Sequence, residues 1–130
     1  MLIVTPIYTL LITLICLVLW FRVAALRSAT GISIGHGGNE QLLLRVRQHG
    51  NCFEWMTIAL LLMIVAEGVG SPSKYLHVSG ILLTIGRLAH PFGLKVTDAS
   101  HPLRYVGNTA SLLSAITAAI CILMNLGKAL

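Results

Sequence analysis

Residues 2–21 read LIVTPIYTLLITLICLVLWF and contain no charged side chain. That run matches the roughly 20 apolar residues needed to cross a hydrocarbon core about 30 Å thick. No basic stretch precedes it, it is too long for the apolar part of a signal peptide, and no small-residue cleavage site follows, so it reads as a spanning helix. The turn-rich segment SATGISIGHGGNE (28–40), with four glycines, interrupts the pattern. A second apolar segment over about 40–68 stops at GVGSPS, where glycine and then proline end a helix. A third covers about 74–94. The loop KVTDASHP (95–102) separates it from a fourth over about 103–127, which is free of charge from 105 onward. In lipid the backbone of each span must satisfy its own polar groups, so these segments are helices. The pattern predicts an all-α integral membrane protein: a four-transmembrane-helix bundle in one membrane domain, 1–130, with helices over about 2–26, 40–68, 74–94 and 103–127.

Composition sharpens this picture. Hydrophobic residues make up 56% of the chain and charged residues 10%, against about 25% charged in soluble domains. The mean hydropathy is +0.87. A net charge of +5 would suit nucleic acid, but the basic residues flank membrane segments and leave no soluble domain, so no nucleic-acid partner is expected. Cys16, Cys52 and Cys121 are too far apart for a metal motif and are expected to pack in the interior, with no metal site. Glu67, at the end of the second segment, is expected to be solvated. Seven of the nine Lys and Arg residues lie at the first and third loops, and Lys74 and Lys128 lie on the other side. The positive-inside rule therefore places both termini outside and the basic loops in the cytoplasm.

The second segment also carries polar residues where lipid should lie. Arg47, Asn51 and Glu54 are spaced i, i+4, i+7 and share one helix face. The third segment adds Thr84, Arg87 and His90; the fourth adds Arg104, Asn108 and Ser111, with Tyr105 alongside. Each stripe occupies the same end of its helix. A charge near the bilayer centre costs on the order of 2.5–3.5 kcal/mol, so the stripes must meet one another or a polar ligand. One reading is an internal salt-bridge network, such as Glu54 with Arg87. The other is an anion site open to the cytoplasm, favoured because Arg27, Arg45, Arg47, Arg87 and Arg104 outnumber Glu54.

Two motifs carry a family resemblance. RVRQHGNCFEW (45–55) resembles the R-x-x-x-N-x-x-E of the membrane-associated proteins in eicosanoid and glutathione metabolism, the MAPEG family. IGRLAHPFG (85–93) resembles their G-R-x-x-H. The likeness extends over nearly the whole chain and is greatest to the small bacterial members, which implies an inner-membrane, multi-pass location. It also implies a homotrimer that binds glutathione as co-substrate between subunits, and a lipophilic small-molecule second substrate that reaches the site from membrane lipid. Arg47, Asn51, Glu54, Arg87 and His90 would hold the tripeptide, with Arg27 reaching in from a neighbouring subunit and Tyr105 and Asn108 completing the surroundings. Arg104 would be the catalytic residue, favouring the nucleophilic thiolate over a thiol whose free pKa is about 8.5. Gly50, Leu94 and Asn108 depart from the family pattern; Leu94 and Asn108 stand where some members have tyrosine.

The function expected is a glutathione transferase or peroxidase. A non-catalytic trimeric ligand-binding member and a small proton-coupled transporter are the alternatives. Arg104 distinguishes the first from the second. For a transporter, Glu54 would be the coupling carboxylate.

Overall fold

The computed structural model describes the backbone of residues 1–129 and the side chains of residues 1–128. Four helices follow one another, α1 (Val4–Thr30), α2 (Glu40–Gly68), α3 (Ser73–Gly93) and α4 (Pro102–Ala129), with no strand among the described residues. By length and composition α1, α2 and α4 can each cross a membrane. The third helix is the shortest, at 21 residues. Helix α1 runs a turn further than the sequence suggested. It ends where Gly31 adopts a left-handed conformation (φ 69°) and its N–H reaches the Arg27 carbonyl at 2.9 Å, a closure that a side chain at this position would strain. Asn39 starts α2, its Oδ1 accepting from the Leu42 N–H at 2.9 Å. Proline stands at the first position of α4, where its missing N–H costs nothing.

The helices sit at four corners. Packing runs α1–α2, α2–α4, α4–α3 and α3–α1, with α2 and α3 also touching across the middle. Ile12, Ala59, Met63, Leu76, Leu83 and Ala118 fill the interior. The outward faces are apolar as well: Leu10, Leu14, Val18 and Phe21 on α1 and Leu112, Leu113, Ile116 and Leu123 on α4 are all exposed. Such a surface belongs against lipid or a second copy rather than water.

The tightest seam lies between α3 and α4 and is built from small residues. A Cβ at Gly107 would stand 2.6 Å from His90 Cβ, and one at Gly93 would run into the Arg104 and Leu103 backbone. Ser79 Oγ donates to the Ser114 carbonyl at 2.9 Å. Small residues let helix backbones approach where lipid gives no hydrophobic push between helices.

Glu67 differs from expectation. Its carboxylate accepts from the backbone N–H groups of Ile3, Val4 and Thr5 at 2.6–2.7 Å. The last turn of α2 thus caps the first turn of α1. Helix α1 has no side-chain cap of its own, and the free N–H groups and dipole at its start attract an anion.

Candidate functional site

At the opposite end of the bundle, the α2, α3 and α4 polar stripes converge on Arg87. This side chain is only 1% exposed. Its Nε donates to Ser111 Oγ at 3.0 Å, its Nη1 to the Asn51 carbonyl at 3.1 Å and to Asn51 Oδ1 at 2.8 Å, and its Nη2 to the Gly107 carbonyl at 3.1 Å and to Ser111 Oγ at 2.6 Å. A guanidinium has five N–H donors, so every one is engaged. All the acceptors are neutral. The Glu54–Arg87 pair considered from sequence is not formed, because Glu54 is exposed on the outer surface of α2. Arg87 therefore ties three helices together by hydrogen bonds while its charge stays uncompensated.

Beside it lies a cavity of about 320 Å³. Helix α2 contributes Leu43, Leu44, Arg47 and Asn51; α3 contributes His90; the following loop contributes Leu94, Lys95 and Val96; α4 contributes Arg104 and Asn108. Three cations line it and no acid does. His90 is 2% exposed. Its Nδ1 is buried without a hydrogen-bond partner among the described residues, as is Asn108 Oδ1. Buried polar atoms are almost always paired, so these two residues bring unused hydrogen-bonding capacity to the cavity lining.

The loop at the mouth is held from both ends. Arg104 Nη1 donates to the Ala99 carbonyl at 3.1 Å. Asp98 Oδ1 accepts from the Ser100 hydroxyl and N–H, each at 2.9 Å, and these bonds hold its carboxyl below the usual carboxylate range. On the other side, Gln48 Nε2 donates to the Pro91 carbonyl at 2.7 Å. Pro91 O lies in the last turn of α3, where carbonyls lack helical partners, and Gln48 supplies one from α2.

Of the residues singled out from sequence, Arg47, Asn51, His90, Arg104 and Asn108 meet at the cavity. Arg87 stands behind Asn51 and fixes its side chain rather than facing the cavity. Glu54 and Tyr105 point outward, Tyr105 being 60% exposed. Arg27 turns back on its own loop, Nη1 donating to the Ile32 and Gly35 carbonyls at 3.0 and 3.1 Å. The sequence does not point to Lys95 in the cavity wall or to Gln48 bracing the end of α3 beside it. In the sequence Lys95 bears only on orientation, as one of the seven basic residues of the first and third loops. Gln48 offered a signal that went unused: an uncharged polar residue one turn before Asn51 on a membrane helix.

The sequence profile of the MAPEG family matches residues 5–124. The chain is 36% identical over 90 residues to the inner membrane protein YecN of Escherichia coli strain K12, which covers 69% of each chain. The same figures hold for YecN of Escherichia coli O6:H1, strain CFT073. No solved structure matches.

Proposed function

The chain belongs to the MAPEG family of membrane proteins, and on that premise we propose that it is a membrane-bound glutathione-dependent transferase or peroxidase. Its second substrate would be a lipophilic electrophile or hydroperoxide. The observation that carries this reading is the cavity lined by Arg47, Lys95 and Arg104 and by no acid, with His90 Nδ1 and Asn108 Oδ1 unpartnered in its wall. Glutathione has two carboxylates, an ammonium and a thiol. The cations suit its carboxylates, which arginine can bind in a bidentate manner. Asn51, locked by Arg87, and His90 would orient it. Glutathione supplies a sulfur nucleophile when bound. The Arg104 guanidinium would favour the thiolate form of that sulfur. The cavity volume lies at the lower end of the range for small-molecule sites.

The ammonium needs an acid, and none lines the cavity within one chain. Glu54 lies exposed on α2, and Arg27 lies at the same end of the bundle. A second copy packed against α2 would bring such residues to the site and would also cover charge that lipid does not tolerate. We therefore read the assembly as a homotrimer with sites between subunits. The seven-to-two bias of Lys and Arg supports an orientation with both termini outside and the cavity at the cytoplasmic face.

A second reading, a non-catalytic ligand-binding member, draws support from Leu94 and Asn108. Both line the cavity and bring no phenolic hydroxyl where some family members have tyrosine. The deciding experiment is conjugation of glutathione to a chlorodinitrobenzene electrophile by wild type and by Arg104→Ala. A fall in turnover of about 100-fold, with glutathione still raising the melting temperature, is expected. Turnover unchanged in the variant would remove Arg104 from the chemistry. Absence of wild-type turnover together with a retained melting shift would favour the ligand-binding member.

A further inference from the structure

The face of α2 opposite the cationic cavity carries a different set of residues. His49, Phe53 and Met56 follow the same i, i+4, i+7 spacing as Arg47, Asn51 and Glu54. They are displaced by two residues, or about 200° around the helix at 3.6 residues per turn. Against them α1 sets Cys16, Leu17 and Trp20. Together these side chains line a second cavity of about 450 Å³ between α1 and α2. Its walls are mostly hydrocarbon and aromatic, with one thiol, one imidazole and Thr13.

Behind Cys16 lies a second thiol. Cys52 is 1% exposed and shares with Cys16 and Leu19 a small buried cluster apart from the main core. The two thiols come from different helices and belong to the same buried cluster. Cys121, by contrast, packs in the main core cluster, where no second cysteine is found among the described residues. Packing alone accounts for Cys121. Cys16 and Cys52 are set apart from it by sharing one cluster between two helices, with Cys16 also in the wall of a cavity that holds an imidazole.

We propose that Cys16 and Cys52 form a redox-active dithiol that reduces a lipophilic hydroperoxide bound in this second cavity. The substrate's apolar body lies against Leu17, Trp20, Phe53 and Met56. The Cys16 sulfur attacks the terminal oxygen of the hydroperoxide and the O–O bond breaks. Cys16 becomes a sulfenic acid, and the alkoxide leaves as an alcohol, taking the proton that the Cys16 thiol gives up to His49. Cys52 then attacks the sulfenic sulfur, water departs, and a disulfide joins α1 to α2. Two thiols lose two electrons and the hydroperoxide gains them. The step needs no glutathione and uses no residue of the cationic cavity, so it stands or falls apart from the function proposed above.

The test uses the full chain in phospholipid nanodiscs, reduced, freed of reductant and treated with one equivalent of cumene hydroperoxide without glutathione. The expected result is loss of two thiols per chain, a Cys16–Cys52 cross-linked peptide by mass spectrometry and one equivalent of cumyl alcohol, with the thiols restored by dithiothreitol. In Cys52→Ser, dimedone should trap a sulfenic acid on Cys16. In Cys16→Ser, Cys52 should remain reduced and no alcohol should form. His49→Gln should slow alcohol formation without changing the thermal melt. The proposal is overturned if wild type forms no alcohol above a protein-free control, if Cys121 is oxidised as fast as Cys16, or if Cys52 is oxidised in Cys16→Ser. The wild-type measurement is decisive alone, whatever the variants' folding.

Discussion

Arg87 shows how one side chain can stabilise a bundle without an ion pair. Replacement by leucine would leave Asn51 Oδ1 without its donor, while the Gly107 carbonyl would keep the Ser111 hydroxyl at 2.8 Å. Each buried polar group left unpaired costs about 1–3 kcal/mol. Arg87→Leu should therefore lower the detergent-phase melting temperature substantially. It should also weaken glutathione binding indirectly, because Asn51 loses its anchor. A melt unchanged from wild type would contradict the role drawn for Arg87. Among the described residues, the Arg104 side chain makes only one hydrogen bond, to a loop carbonyl. Its loss should affect chemistry far more than stability, the reverse of Arg87. The G-R-x-x-H motif drew attention to Arg87 and His90 alike. That the arginine would be saturated by neutral oxygens could not be read from the motif, since its partners lie 20 to 36 residues away.

At the scale of the helix, α2 has two working faces and a working end. One face lines the cationic cavity, the opposite face lines the apolar one, and Glu67 at the C-terminus caps α1. Loss of a helix cap costs about 0.5–2 kcal/mol. Glu67→Ala should therefore destabilise by about that amount, with amide exchange of Ile3, Val4 and Thr5 rising first; equal protection in variant and wild type would argue against the cap. The α3–α4 seam makes a steric prediction. Gly107→Val would place methyl groups against the His90 backbone, and overpacking of this kind costs about 1–3 kcal/mol. Because His90 lies in the cavity wall, the same variant should lose glutathione affinity as well as stability. Helix extents were legible from charge-free runs and from glycine and proline stops. The extra turn of α1 was not, because Ser28–Thr30 gives no strong signal either way and the stop is set by the Gly31 conformation. Glu67 read as a solvated end because its partners come from the start of the chain, more than 60 residues away.

For the whole molecule, the proposed homotrimer would cover the outward charge on α2, while lipid alone suits the apolar outer faces. Chemical cross-linking in native membranes should yield trimers, and only monomers would remove the support for sites between subunits. Glutathione at about 100 times its dissociation constant should add about 2.7 kcal/mol to stability. No melting shift at any concentration would overturn the glutathione reading and favour the transporter. By itself the chain's hydropathy determined an all-helical membrane protein with four apolar segments, because lipid leaves the backbone no other way to satisfy its polar groups. The i, i+4, i+7 stripes showed in sequence which residues share a helix face, because helical periodicity is local. Which of those faces meet was decided only by the tertiary structure. It placed Arg87 behind the cavity and Lys95 in its wall, gathered Cys16 and Cys52 into one buried cluster and sent Glu67 to another helix. Those outcomes depend on distances between helices far apart in sequence, and helical periodicity carries no information about such distances.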